Sequence, residues 1–394
     1  MTVEPANAAP ADAPGVVVPA EAAGYDPVDF HVPDETAALI REAVPENTAL
    51  AYRSRWRSFE DWCRAAGRVA LPATAQTVAA YLTHLAVDRG LKATTADAHL
   101  TAIRAVHRST GASVPDALAA RKVITAAARR EAARDGRHGP RKAVPVMAAD
   151  LPAVVAACDQ ETAAGQRDRA VILLGFALLA RRAELAALNV SDIEHVPGEG
   201  LAVTIRASKT DQSARGVTRR IHYASAEALC PVRAVLAWLA YLAARGHATG
   251  PLFTRVDRWG NLGAGAGGRY SERGGQQGIA VPGHGKSQPA AGTRLAASRD
   301  GRLRPQAIGD IVTAACAAAG LTAPGTADAP AAPGERRYSG HSLRRGGATS
   351  MLKGGAQPLH VSRHGRWADG SRAFAGYVEE ATGFGDENPT KNLL

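Results

Sequence analysis

Cysteine is scarce in this chain. Its four residues, Cys63, Cys158, Cys230 and Cys316, stand far apart. No pair has the CxxC or Cys…His spacing of a zinc module, and no disulfide framework is indicated. A reducing setting is the expectation. There is no run of about 18 or more apolar residues, the least a membrane helix needs. The N-terminus lacks the basic stretch and apolar core of a secretion signal. A soluble, cytoplasmic protein is therefore expected. Lysine is rare beside arginine, and residues 1–30 hold neither. That stretch is rich in Ala, Pro and acids, too polar to offset the entropy of ordering, so residues 1–45 read as a disordered tail. No internal repeat is present.

What the chain does have is positive charge and enough apolar residues to fold. It has 394 residues, 46% of them apolar, and a formal net charge of +10. The length allows two or three domains. The charge makes a polyanion a candidate partner.

From Asn47 the apolar period becomes helical. Tyr52, Trp56, Phe59 and Cys63 form one stripe, with Arg53 and Arg57 on other faces. A second helix follows LPAT and runs through Val78, Tyr81, Leu82 and Leu85 to Gly90. A third begins near Thr94, with Asp97 placed for a capping box. A fourth starts near Asp116. Residues 46–134 thus read as a small helical domain. Residues 135–147, with Arg137, Arg141 and Lys142 among Gly and Pro, read as a basic linker. It is either a solvated hinge or a segment lying along a phosphate backbone.

The second domain, 148–394, is mostly helical. RAVILLGFALLARRAELAALNVSDI reads as two helices joined by a tight bend near Ala180. GLAVTIRAS and GVTRRIHY alternate apolar and polar residues, and with KTDQ between them they predict a β-hairpin. Pro231 starts a helix that Gly246 ends. Segments 258–300 and 325–335 show no periodicity and read as flexible insertions.

Several short motifs are weak singly. Arg181 and Glu184, at i, i+3, are usually a surface pair. Lys209 heads the hairpin, where a solvated lysine is the ordinary reading. His341 and Arg344 in GHSLRRGGAT share a helix face, and Gly346 and Gly347 would let that helix pack closely. HGRW holds His364, Arg366 and Trp367, and Tyr377 lies ten residues beyond Trp367. His360 and His364 lack the glutamate of a HExxH zinc site, and AVPGHGKS lacks the first glycine and preceding strand of a phosphate loop. Neither metal nor ATP is expected as a cofactor.

Taken in order, these elements compose one pattern: Arg-x-x-Glu-Leu on a helix, Lys in a hairpin, His-x-x-Arg-Arg-Gly, Gly-Arg-Trp, then Tyr. The pattern, over 47–394, resembles the tyrosine recombinase (phage integrase) family. The resemblance implies a mainly α (α+β) fold: an N-terminal helical, SAM-like core-binding domain and a mostly helical catalytic domain with a small antiparallel sheet. It implies two domains closing on duplex DNA, with four protomers on two paired attachment sites. A bacterial, nucleoid-associated setting is expected with it, whether the recombinase serves a phage, a transposon or another mobile element, or a resident chromosomal system. A directionality or accessory factor is a further possible partner. Two departures stand out. The Trp367–Tyr377 spacing is ten where nine is common, with room for the extra residue in ADGS, and the 258–300 insertion is long.

The chemistry fits the resemblance. Arginine forks meet phosphate oxygens bidentately and stay ionised, which suits Arg181 and Arg344. Tyr377 is the implied nucleophile, forming a 3′-phosphotyrosyl intermediate. His341 takes its proton or orients the attacking oxygen. Lys209 is implied as the donor to the leaving 5′ oxygen. Trp367 stands where many relatives carry a histidine and offers an indole N–H. Glu184 braces the arginines or His341. Arg345 is structural or a DNA-backbone contact, in which role it joins Arg53, Arg57, Arg137, Arg141 and Lys142. The rival readings are a type IB topoisomerase-like relaxase and a non-catalytic DNA-binding protein on the same fold.

Overall fold

The structure is a computed structural model that describes residues 32–44, 46–135, 143–206, 216–257, 259–263, 300–321 and 338–383. Lys209, Arg137, Arg141, Lys142 and the segment 325–335 lie outside them, as does most of 258–300. The chain divides into two compact units, 1–140 and 141–394.

In the first unit the aromatic stripe forms helix α2 (Glu46–Ala65). Trp56, Phe59 and Cys63 are buried, while Arg53 and Arg57 are exposed on another face. Thr74 caps α3 (Ala75–Thr83), its Oγ1 accepting the Thr77 N–H at 3.1 Å. A π-turn over His84–Asp88 then carries Leu85 inward. Helix α4 (Ala93–Ser109) packs Leu100 and Ile103 on α2. Helix α5 (Leu118–Asp135) follows, the Asp116 carboxylate accepting the Leu118 N–H at 2.8 Å.

Two expectations change here. The Thr94–Asp97 capping box does not form, because α4 starts at Ala93, placing Thr94 inside its first turn. Its orphan Ala93 N–H instead reaches Glu131 of α5 at 3.3 Å. Part of the supposed tail is helical as α1 (Asp34–Glu42), with Asp34 and Glu35 placed where a helix N-terminus favours acids.

In the second unit, the end of the expected linker is not a linker. Val144 and Val146 are buried, and the Val146 N–H donates to the Ser342 carbonyl at 3.1 Å. Apolar side chains two residues apart pin this strand-like stretch to the core. Helices α6 (Leu151–Ala156) and α7 (Ala163–Ala177) follow. The bend falls where the sequence placed it: Leu179 takes a left-handed φ of 50°, and α8 (Arg182–Ala187) begins after Arg181.

Strands β1 (Ile193–Val196), β2 (Gly200–Ile205) and β3 (Val217–His222) make one antiparallel sheet in the order β1-β2-β3. Leu201 pairs with Ile221 and Val203 with Arg219. Helices α9 (Pro231–Ala243) and α10 (Pro305–Ala318) complete the main core around Trp238, Leu174 and Leu343.

Three final helices carry the motifs: α11 (Gly340–Lys353), α12 (Pro358–Gly365) and α13 (Arg372–Thr382). Leu179, Ala348, Leu352, Val361, Phe374 and Tyr377 form a second small core among them. The close approach expected at Gly346 is present. A Cβ there would stand 1.6 Å from the Val146 carbonyl oxygen, so only glycine fits.

Candidate active site

The site grows from two helix C-termini. Helix α7 ends in the Leu178 and Leu179 carbonyls, and α12 ends in those of His364 and Gly365. Such carbonyls lack intrahelical donors and carry partial negative charge. Cationic side chains fill the space. Arg344 donates to the carbonyls of Leu179 and Gly365, the latter at 2.6 Å. Arg366 reaches Leu178 at 3.3 Å, Leu179 at 3.3 Å and His364 at 3.2 Å. From β3, Arg219 reaches the Arg363 and His364 carbonyls at 2.6 and 3.1 Å. His364 meets the Ala177 carbonyl at 2.8 Å.

One carboxylate serves this cluster. Glu184 accepts from Arg181 Nη1 at 2.6 Å, from the Arg181 backbone N–H at 2.8 Å and from Arg366 Nη2 at 2.7 Å. Burial pushes the Glu184 carboxyl up, but the charge of Arg366 and the bonds from Arg181 outweigh it and hold it below the ordinary carboxylate value. Glu184 braces the arginines; no bond joins it to His341 among the described residues.

Arg344 is 1% exposed, and its guanidinium lies 3.9 Å from the centre of the Trp367 ring. Burial, then the nearby charge of Arg181, lowers its pKa to about 9, so it stays a cation at neutral pH. Trp367 is held there by the end of α12. Arg366 adopts a left-handed φ of 61°, and the Trp367 N–H turns back to the Ser362 carbonyl at 3.1 Å.

Beside the guanidinium, Tyr377 Oη lies 3.1 Å from His341 Nε2. The Tyr377 ring meets Trp367 edge-on at 5.6 Å. Burial raises the phenol pKa, against the opposing charge of Arg344. His341 is exposed on its outer side. Protein crowding its ring, then the charges of Arg344 and Arg181, hold it below the ordinary imidazole value of 6.5. The pair is thus a protonated phenol facing a neutral imidazole, the protonation states from which a transfer from oxygen to nitrogen starts, and both shifts widen the gap that developing charge on a bound phosphate must offset.

The structure brings Arg181, Glu184, His341, Arg344, Trp367 and Tyr377 into one network. Arg345, next in sequence to Arg344, points elsewhere. It is 4% exposed and bonded to the Ala143 carbonyl and the Glu380 carboxylate. Buried and paired, it braces α13 and is not placed for a DNA-backbone contact. Trp367 meets Arg344 through its ring face. Arg366 and Arg219 were not singled out as site residues. The one available signal for Arg366 was its place inside Gly-Arg-Trp. Among the described residues no cluster of three or more His, Cys, Asp or Glu side chains gathers as a metal site would need. Nor is any described helix long and apolar enough to cross a membrane.

The chain is similar to several known proteins. The pattern of the phage integrase N-terminal SAM-like domain matches residues 37–110. The chain is 28% identical over 347 residues to an integrase/recombinase xerD homolog from Selenomonas ruminantium, covering 88% of this chain and 85% of that protein. It is 28% identical over 182 residues to recombinase cre of Escherichia phage P1, covering 46% of this chain and 52% of that one. Among solved structures, a lambda integrase tetramer bound to a Holliday junction superposes with a TM-score of 0.50 at 14% identity. That match covers 87% of this chain and 75% of the other. The domain pattern over residues 37–110, the two recombinase relatives and the shared fold make the chain similar to the tyrosine recombinase, or phage integrase, family.

Proposed function

We propose that this protein cuts and rejoins DNA strands at specific sites through a covalent bond to Tyr377. The observation that carries the reading is the 3.1 Å contact between Tyr377 Oη and His341 Nε2 beside the Arg344 guanidinium. Tyr377 Oη attacks the scissile phosphorus, and its proton passes to the neutral His341. Charge develops on the non-bridging oxygens, where Arg181 and Arg344 donate. The P–O bond to the 5′ oxygen breaks as the new P–O bond to tyrosine forms, leaving a 3′-phosphotyrosyl end. Lys209 supplies the proton that the leaving oxygen takes. Rejoining reverses each step with a new 5′ hydroxyl, so the bond energy is kept and no nucleotide need be hydrolysed. The +10 charge and the exposed Arg53 and Arg57 supply sequence-independent attraction to duplex DNA. Four protomers acting on two paired sites is the assembly proposed, by likeness to the family.

The test is a nicked suicide substrate carrying candidate attachment sequences. The expected result is a protein–DNA adduct mapping to the peptide that contains Tyr377, absent in Tyr377→Phe. Arg344→Ala should cut its rate about 100- to 1,000-fold, as loss of a preorganised donor does. An adduct on another residue, or an undiminished one in Tyr377→Phe, overturns the reading.

A further inference from the structure

Arg366 sits among the same carbonyls as Arg344, yet the two arginines differ in what they have left to give. A guanidinium carries five N–H donors. Arg344 has one bond from Nη1 and one from Nη2, and Arg181 has one from Nη1 to Glu184. Both keep donors for a substrate oxygen. Arg366 keeps none at its tips: Nη1 is bonded to the Leu178 and His364 carbonyls, Nη2 to the Leu179 carbonyl and Glu184. Only its Nε–H remains, and that is buried without a partner.

We infer that Arg366 is a positioning residue that sets the reach of Arg181 through their shared carboxylate, Glu184. The inference rests on the phosphate-clamp reading above.

The geometry is a chain of contacts. Glu184 is 5% exposed and stands between two guanidinium groups, Arg366 on one oxygen at 2.7 Å and Arg181 on the other at 2.6 Å. With Arg366 in place the carboxylate is shared. With Arg366 gone, a buried carboxylate has one guanidinium left to satisfy it, and Arg181 is drawn inward and neutralised. A buried charge that loses one partner seeks the other more strongly. The backbone shows the same priority. Arg366 occupies a left-handed position at a helix C-terminus, where glycine is the usual residue. The strained φ of 61° aims the side chain at Glu184. Arg366 also shares the Leu179 carbonyl with Arg344, so it touches both halves of the clamp through other groups.

The test compares two scissile linkages. In a methylphosphonate, one charged non-bridging oxygen is replaced by a methyl group, and the need for cationic neutralisation falls. Single-turnover cleavage is measured for Arg366→Met, Arg366→Lys and Arg181→Ala on both linkages, with DNA binding and melting temperature followed in parallel. The lysine variant keeps a cation beside Glu184 and guards against a failure of Arg366→Met to fold. The expected result is a rate on the normal diester reduced by roughly 10- to 100-fold, the scale seen for outer partners of a binding group. Recovery on the methylphosphonate should parallel that of Arg181→Ala. Equal loss on both linkages, or no loss at all, overturns the inference, since a merely structural arginine does not distinguish them. If Arg181→Ala itself shows no recovery while the wild-type protein cleaves, the clamp reading fails, and the inference with it.

Discussion

Gly365 has room for a hydrogen and nothing larger, because a Cβ there would stand 1.8 Å from the Trp367 ring. Gly365→Ala must therefore push the indole away from the Arg344 guanidinium, which it now faces at 3.9 Å. A desolvated contact of this kind contributes about 2 kcal/mol, and overpacking adds about 1–3 kcal/mol of cost. The expected outcome is a lower melting temperature together with a slower adduct-forming step, read by thermal unfolding and by suicide-substrate kinetics. His341 yields a prediction in pH. Its value is held below 6.5 by crowding and by the arginines around it. As pH falls through 6.5 an ordinary histidine becomes half protonated, whereas His341 takes up its proton at lower pH. Adduct formation should thus persist as pH falls through 6.5 and fail only at lower pH, and His341→Gln should lose that acid limb. In the same window the unfolded chain binds more protons than the folded one, so this residue also takes stability away as the solution is acidified.

At the scale of elements, the meeting of α7 and α12 puts two sets of helix-end carbonyls face to face, and arginines hold them together. Arg219 ties β3 to α12 through the Arg363 and His364 carbonyls. Each such charged hydrogen bond is worth about 1.5–3 kcal/mol net. Arg219→Ala should lower stability by about that much, measured by urea unfolding, and Arg219→Lys should restore little, because an ammonium cannot fork across two carbonyls. These contacts also mark what a reader of the sequence could and could not find. His341 and Arg344 were legible because a helix repeats every 3.6 residues and carries i and i+3 on one face. The bend at Leu179 was legible from the break between two apolar runs. The Glu184–Arg366 pair joins residues 182 apart in sequence, and no local period encodes such a meeting. Arg345 misled for the same reason: its partner Glu380 lies 35 residues on, and burial of an arginine cannot be read from its neighbours in the chain. Val144 and Val146 were hidden among the prolines and charges of an apparent linker. The cap of α4 comes from Glu131 on another helix, 38 residues away.

Across the whole molecule, one chain carries both the proposed nucleophile and the groups proposed to receive the phosphate. Tyr377 on α13 reaches His341 of its own chain, and the Arg345–Glu380 pair ties α13 to α11. Nothing from a second subunit is needed to complete the cluster that the described residues form. Mixing two inactive variants, Tyr377→Phe and Arg344→Ala, on paired attachment sites tests this most directly. The first keeps the phosphate-binding groups without a nucleophile, and the second keeps the nucleophile beside a crippled pocket. Both should bind DNA, and the mixture should form no more covalent adduct than either variant alone. Restoration of adduct, carried by the Arg344→Ala protomer, would mean that the tyrosine acts in a neighbour's pocket and that the site is shared between chains.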